Sequence, residues 1–259
     1  MRLIQLCVLL TISTMIYAQN EAPELITDRP DQTESPTVVP RGAFQIETGF
    51  LMANCNDDTI EKKSFAFNTT LLRYGLMDNF ELRLGMDYLG EKMSFTDVDT
   101  TSSSSGPGPV YAGFKVRIAE RDGWKPEIAF LGGLVLPFTA KECFRPRYSA
   151  VSFRFSFAHA LSDKLSLGYN LGAEWAGETA VPGYFYTIVT GFDLSEKWGL
   201  FAEAFGVFPE EGETEHVFDA GLTCLIAPNL QFDISGGIGL NEFAPDHFLS
   251  LGLSLRLPY

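Results

Sequence analysis

The last eleven residues alternate without a break. Leu249, Leu251, Leu253, Leu255, Leu257 and Tyr259 fall on one side, and Ser250, Gly252, Ser254, Arg256 and Pro258 on the other. A strict period of two marks a strand with two unlike faces. The same pattern recurs along most of the chain. Twelve runs carry it: 42–53, 61–76, 80–88, 110–119, 126–136, 148–161, 165–175, 184–194, 198–208, 215–227, 230–240 and 248–259. In 80–88, Phe80, Leu82, Leu84, Met86 and Tyr88 oppose Glu81, Arg83, Gly85 and Asp87. In 165–175, Leu165, Leu167, Tyr169, Leu171, Ala173 and Trp175 oppose Ser166, Gly168, Asn170, Gly172 and Glu174. Run 61–76 begins in phase at Phe65 and Phe67 and loses parity near Leu71-Leu72, which predicts a bulge there and leaves Arg73 without a face.

The polar faces decide between water and lipid for the apolar ones. They are rich in glycine and serine, whereas a soluble sandwich would show lysine and threonine to solvent. Glycine and serine suit a crowded barrel interior. Connections alternate in length. Met77–Asn79, Ser162–Lys164, Ser195–Lys197 and Ala227–Asn229 are tight, while Leu89–Pro109 and Pro137–Arg147 are long. Short turns alternating with long loops is the pattern of outer-membrane barrels, with the turns in the periplasm. The run lengths fit the ~9–11 residues that cross a membrane at barrel tilt. The terminal aromatic resembles the closing strand of such barrels. Tyr74, Phe80, Trp198 and Tyr259 stand near the periplasmic strand ends, Tyr88 and Trp175 near the outer ones; of these, Trp198 and Tyr259 read as girdle residues rather than as strand propensity alone.

The start of the chain agrees. Met1-Arg2, the apolar stretch Leu3–Tyr17 and Ala18 read as a signal peptide, residues 1–18. Residues 19–41 hold Pro23, Pro30, Pro36 and Pro40 without periodicity, and read as an extended periplasmic segment ahead of a barrel at 42–259. The expected fold is all-β: an antiparallel transmembrane barrel of about twelve strands.

Charge bounds the function. Asp and Glu number 33 against 19 Lys and Arg, a net charge of -14, which excludes nucleic acid as a partner. Charges at bilayer depth must face the lumen, because the lipid face penalises them by ~2–4 kcal/mol at the midplane. The predicted lumenal set is Glu47, Glu81, Asp87, Glu127, Glu174, Glu203, Asp219 and Asp233 with Arg83, Lys115, Arg117, Arg154 and Arg256. Two readings follow: a net-acidic channel that favours cations or neutral solutes, or a salt-bridged plug in a narrow barrel. Asp28, Arg29 and Asp31 are candidates for seating the N-terminal segment in or below the lumen.

An enzyme does not fit the histidines. Ser162 and Ser250 stand three residues from His159 and His247, hence on opposite faces, and the histidine-x-serine pattern of barrel phospholipases and deacylases is absent. No C-x-x-C pair supports a metal, and no cofactor is expected. Cys55 and Cys143 both fall in outer loops; a disulfide between them and two free thiols are the alternatives. The expected partners are outer-membrane lipid and lipopolysaccharide, a small solute, and the barrel-assembly machinery through the C-terminal strand.

Several stretches together resemble one family. They are Ile26–Pro36 (ITDRPDQTESP), Gln45–Phe50 (QIETGF), Leu72–Leu76 (LRYGL), Asp219–Thr223 (DAGLT), Pro228–Asp233 (PNLQFD) and Gly239–Asp246 (GLNEFAPD). The chain is similar in these to the outer-membrane family called the putative MetA-pathway of phenol degradation, whose members are often labelled transporters. The resemblance implies an outer-membrane barrel and passage of small, aromatic or hydrophobic compounds. It implies no catalytic residues.

Overall fold

The computed structural model describes residues 23–56, 59–95 and 100–258. The expected signal peptide, the first residues of the 19–41 segment and Tyr259 lie outside the described residues.

Thirteen strands form one antiparallel sheet. They are β1 (Phe44–Asn56), β2 (Ile60–Met77), β3 (Phe80–Phe95), β4 (Thr100–Pro107), β5 (Val110–Ala119), β6 (Glu127–Leu136), β7 (Ala150–Ala160), β8 (Leu165–Trp175), β9 (Gly183–Asp193), β10 (Trp198–Phe208), β11 (Glu215–Ala227), β12 (Leu230–Gly239) and β13 (His247–Leu257). All but β4 close on themselves as a barrel of twelve strands. The seam pairs β1 with β13 from Phe44↔Leu257 to Asn54↔His247. Closure matters physically, because in lipid every backbone N–H and C=O must find a partner within the protein.

Side-chain parity assigns the faces. Along β13, Ser254 and Arg256 are 0% and 3% exposed, while Leu253 and Leu257 are 44% and 45% exposed. The pattern of the isolated sequence thus turns inside out relative to a soluble protein. The largest fully buried side chains are charged or polar, including Arg73, Lys115, Glu47, Glu81 and Glu203. The exposed band is Leu, Phe, Ile and Met, with Trp198 at the start of β10 among its edge aromatics. The turns after β2, β7, β9 and β11 are tight, and Phe44 and Leu257 lie at that same end. By the rule for outer-membrane barrels this end faces the periplasm.

Two expectations are corrected, and one pair of alternatives is met by one of its members. Residues 89–109 are not a loop: the outer half of β3 pairs with β4 from Tyr88↔Pro107 to Phe95↔Thr100. Only Phe80–Gly85 of β3 pairs with β5, so the hairpin rises past the outer end of β5. Its Ser102–Ser105 run carries no alternation, because a hairpin wet on both faces needs none. The bulge in β2 falls at Phe67-Asn68, where pairing slips between Ala66↔Leu89 and Asn68↔Tyr88, rather than at Leu71-Leu72. Cys55 and Cys143 are free, exposed thiols. Strands β2, β3 and β5 stand between β1, which carries Cys55, and β6, after which Cys143 follows.

The hairpin stands beyond the β3–β5 pairing and is tied to the wall through β2, whose Ile60–Ser64 pair with Glu91–Phe95. Replacing residues 91–104 by a two-residue turn joins positions adjacent to the directly paired Glu91 and Ser104. The shortened protein is expected to keep the compact, heat-modifiable band of a folded barrel on gel electrophoresis. Its loss would show that the hairpin is needed for closure.

Candidate functional site

The N-terminal segment is the centre of the site. The sequence suggests a periplasmic segment that Asp28, Arg29 and Asp31 seat in or below the lumen; residues 25–40 lie inside the barrel, among inward side chains. Its path follows from its partners. At the periplasmic end Arg256 of β13 donates to the carbonyls of Pro23 and Glu24. Gln45 of β1 donates to Ile26 O at 2.9 Å, and Gln231 of β12 to Thr27 at 3.0 Å. Residues 32–34 reach the opposite wall. There Glu203 of β10 accepts from Gln32 N at 2.7 Å and from the Thr33 hydroxyl, which also meets Thr187 of β9. Asn170 of β8 and Ser156 of β7 bind the backbone of Glu34. The segment then descends, with Val39 N donating to Glu81 of β3 at 2.7 Å. A proline-rich segment of irregular backbone cannot satisfy its own polar groups, so buried wall side chains do it.

The charges are sorted into two quarters. Asp28 Oδ2 stands 2.6 Å from Arg83, 3.0 Å from Arg73 and 2.9 Å from Lys115. Arg73 also binds Glu47 at 2.8 Å and Glu81 at 2.9 Å. Every one of these side chains is at most 3% exposed. The wall alone contributes three cations (Arg73, Arg83, Lys115) and two anions (Glu47, Glu81) to this cluster; the segment adds Asp28 at its centre and Glu34, 2.6 Å from Arg83, at its edge. The next residue does the reverse. Arg29 reaches the fully buried Asp233 at 3.1 Å and also donates to Thr69, Ser250 and Leu251 O. Its guanidinium lies over Gly49 and Gly252, which face each other across the seam; a Cβ on either would collide with it. Asp31 turns to an acidic quarter, within electrostatic reach of Glu203 and Asp219. Glu203 and Asp219 are directly paired across β10 and β11.

The remaining predicted lumenal charges are spread along the wall. Arg117 and Glu127 pair at 3.9 Å near the periplasmic end, where Arg117 also binds Glu120. Arg154 of β7 donates to Gln32 O at 2.9 Å and stacks 4.6 Å from the Phe185 ring. Glu174 sits at the outer end of β8, opposite Ser152. Asp87 is exposed to an outer cavity of about 310 Å³, shared with Asp28, Arg29, Glu34, Arg83 and Tyr111. A second cavity of about 260 Å³ lies below, lined by Asp31, Thr33, Glu34, Ser35, Thr37 and Val189. A third, of about 650 Å³, opens at the periplasmic rim between Glu24, Arg121, Asp163 and Asp193.

Some lumenal residues are not apparent from the alternation. Arg73 is among them because of the bulge. Tyr111, Phe185 and Phe248 point inward, their rings lying over Gly133, Gly172 and Gly237. Their signal was available: each aromatic shares phase with a lumenal residue (Lys115, Thr187 and Ser250) and has a glycine as close neighbour on an adjoining strand. Among the described residues no group of His, Cys, Asp and Glu is arranged to hold a metal ion.

Asp28 is the one carboxylate that Arg73, Arg83 and Lys115 share at 3.0 Å or less. Asp28→Asn removes it and is expected to destabilise the barrel by about 3–5 kcal/mol, the usual cost of breaking a buried pair. Lys115→Met in the same chain removes a cation and should restore part of that loss, read as a non-additive double-mutant cycle in urea unfolding. Additive losses would show that Asp28 and Lys115 are not coupled.

The same fold is found in solved structures. The outer membrane channel COG4313 from Pseudomonas putida F1 superposes with a TM-score of 0.69 at 14% identity, over 90% of this chain and 100% of that one. The translocator domain of the autotransporter NalP from Neisseria meningitidis gives 0.54 at 13% identity, over 85% and 90%. The NanC porin gives 0.53 at 8% identity, over 83% and 100%. No curated protein sequence matches the chain. The shared fold is that of Gram-negative outer-membrane barrels. A family model matches residues 27–257, which includes the lumenal segment as well as the wall: the chain belongs to the family described as "Putative MetA-pathway of phenol degradation".

Proposed function

We propose that the protein is a passive outer-membrane channel for small solutes, narrowed by its own N-terminal segment. The observation that carries this reading is the succession of cavities along that segment, from the outer lumen to the periplasmic rim. A polar, water-sized route through a barrel is what diffusion of a small solute requires. Bulky polymers do not fit cavities of about 310 and 260 Å³. The inward rings of Tyr111, Phe185 and Phe248 offer apolar faces beside charged groups, which favours compact aromatic or hydrophobic solutes. The COG4313 neighbour is itself named an outer membrane channel, and the family name points to phenol breakdown.

In this reading Asp28 and Arg29 seat the segment, and the lumenal charges set ion preference. The protein works without a cofactor and is not an enzyme. Its histidines have other partners: His159 meets Trp124 O, His216 meets Tyr186, and His247 meets Asn54. Outer-membrane lipid and lipopolysaccharide surround the apolar band, and the assembly machinery engages β13.

One observation favours the non-conducting alternative. Side chains from β1, β2, β3, β5, β6, β7, β8, β9, β10, β12 and β13 all bond to the segment, which makes it a firm plug. The two readings separate in one experiment. Purified protein in planar bilayers and in liposomes is expected to give discrete conductance steps and uptake of neutral aromatic solutes. Silence of the folded protein in both assays would leave a structural barrel.

A further inference from the structure

Glu34 lines both the outer cavity and the cavity below it. Its carboxylate spans a gap between two walls. Oε2 lies 2.6 Å from Arg83 of β3, and Oε1 lies 3.9 Å from Arg154 of β7. Lys115 stands 4.0 Å away on the Arg83 side. The backbone of Glu34 is held far more firmly than its side chain. Asn170 accepts from its N–H at 2.8 Å and donates to its carbonyl at 3.0 Å, and Ser156 donates to the same carbonyl. The side chain is 23% exposed, and the Arg83 contact is an ion pair without an aligned hydrogen bond. Asp28, by contrast, is 3% exposed and held by three cations.

We propose that Glu34 is the specificity-determining residue of the pore: a carboxylate on a fixed backbone that closes the passage between the two cavities by bridging Arg83 and Arg154. The inference rests on the channel reading and deepens it. When the side chain lies across the gap, the cavities are separate. When it swings into the outer cavity, they join, and a solute passes between one carboxylate and opposing guanidinium groups. Such a transverse pair of opposite charges orients a compact dipolar solute as it passes. The backbone stays, so opening the gap does not require the segment to leave the barrel.

Single-channel recording of the full mature chain tests this. Glu34→Ala shortens the bridge and is expected to raise conductance by about twofold or more, as widening the narrowest point of a pore does. Glu34→Gln keeps the size but removes the carboxylate facing Arg83 and Arg154, so the reversal potential in a salt gradient should shift towards anions. This second variant keeps the test valid if Glu34→Ala fails to fold. A wild-type channel whose conductance and ion preference survive both substitutions would overturn the proposal and leave the channel reading intact. A silent wild type with a conducting Glu34→Ala would support closure at this residue. Silence of wild type and both variants, in recording and in uptake, would remove the channel reading and this one with it.

Discussion

The interior of this barrel depends on one balance of charge. Three buried cations and two buried anions on the wall leave an excess positive charge in a place with little water. An isolated buried charge costs several kcal/mol, so such a wall is not stable alone. Asp28, with Glu34 beside Arg83, removes the excess from within the lumen. Arg29, one residue on, answers the buried Asp233 across the cavity. Two adjacent residues of opposite sign thus face two quarters of opposite sign. That arrangement fixes the height and rotation of the segment, and the other contacts follow from where those two residues sit.

Wall and segment divide the work of filling the lumen. The wall supplies charged and amide side chains that satisfy irregular backbone. The segment supplies volume that a barrel of this width would otherwise fill with water. Glycines mediate between them. Gly49 and Gly252 make a flat place for the Arg29 guanidinium, and Gly75 lets the backbone of Val39 and Pro40 approach the wall closely. The same device, used with Tyr111 and Phe185, lays aromatic rings flat against the inner surface. The glycine-rich polar face is therefore a record of what lies against it.

Most of the architecture was legible because lipid leaves few alternatives. A strand in a bilayer must be apolar on one side, so parity in Leu249–Leu257 or Phe80–Met86 is nearly free of noise. Where lipid is absent, the signal is absent too, which is why β4 and the outer half of β3 read as loop. Lumenal charges were legible for a related reason: Glu81 or Lys115 could face nowhere else. Arg73 was lost to a slip at Phe67-Asn68 that no local residue announces. The location of residues 25–40 was beyond periodicity altogether. It is set by pairings such as Arg29–Asp233, separated by 204 positions, which a single sequence does not display. Glu34 illustrates the limit well, since nothing distinguishes it in sequence from its acidic neighbours Asp28 and Asp31.

The seam between β1 and β13 carries a consequence for the order of events. It joins the first strand of the wall to the last, so the wall cannot close until the final residues have been exported. The segment that ends up inside precedes every strand, and it has left the export machinery before any of them. A cylinder that closes last around something present first need not be threaded afterwards. The segment is in the position of a mandrel, and the wall side chains that bond to it are in the position of fibres wound on it.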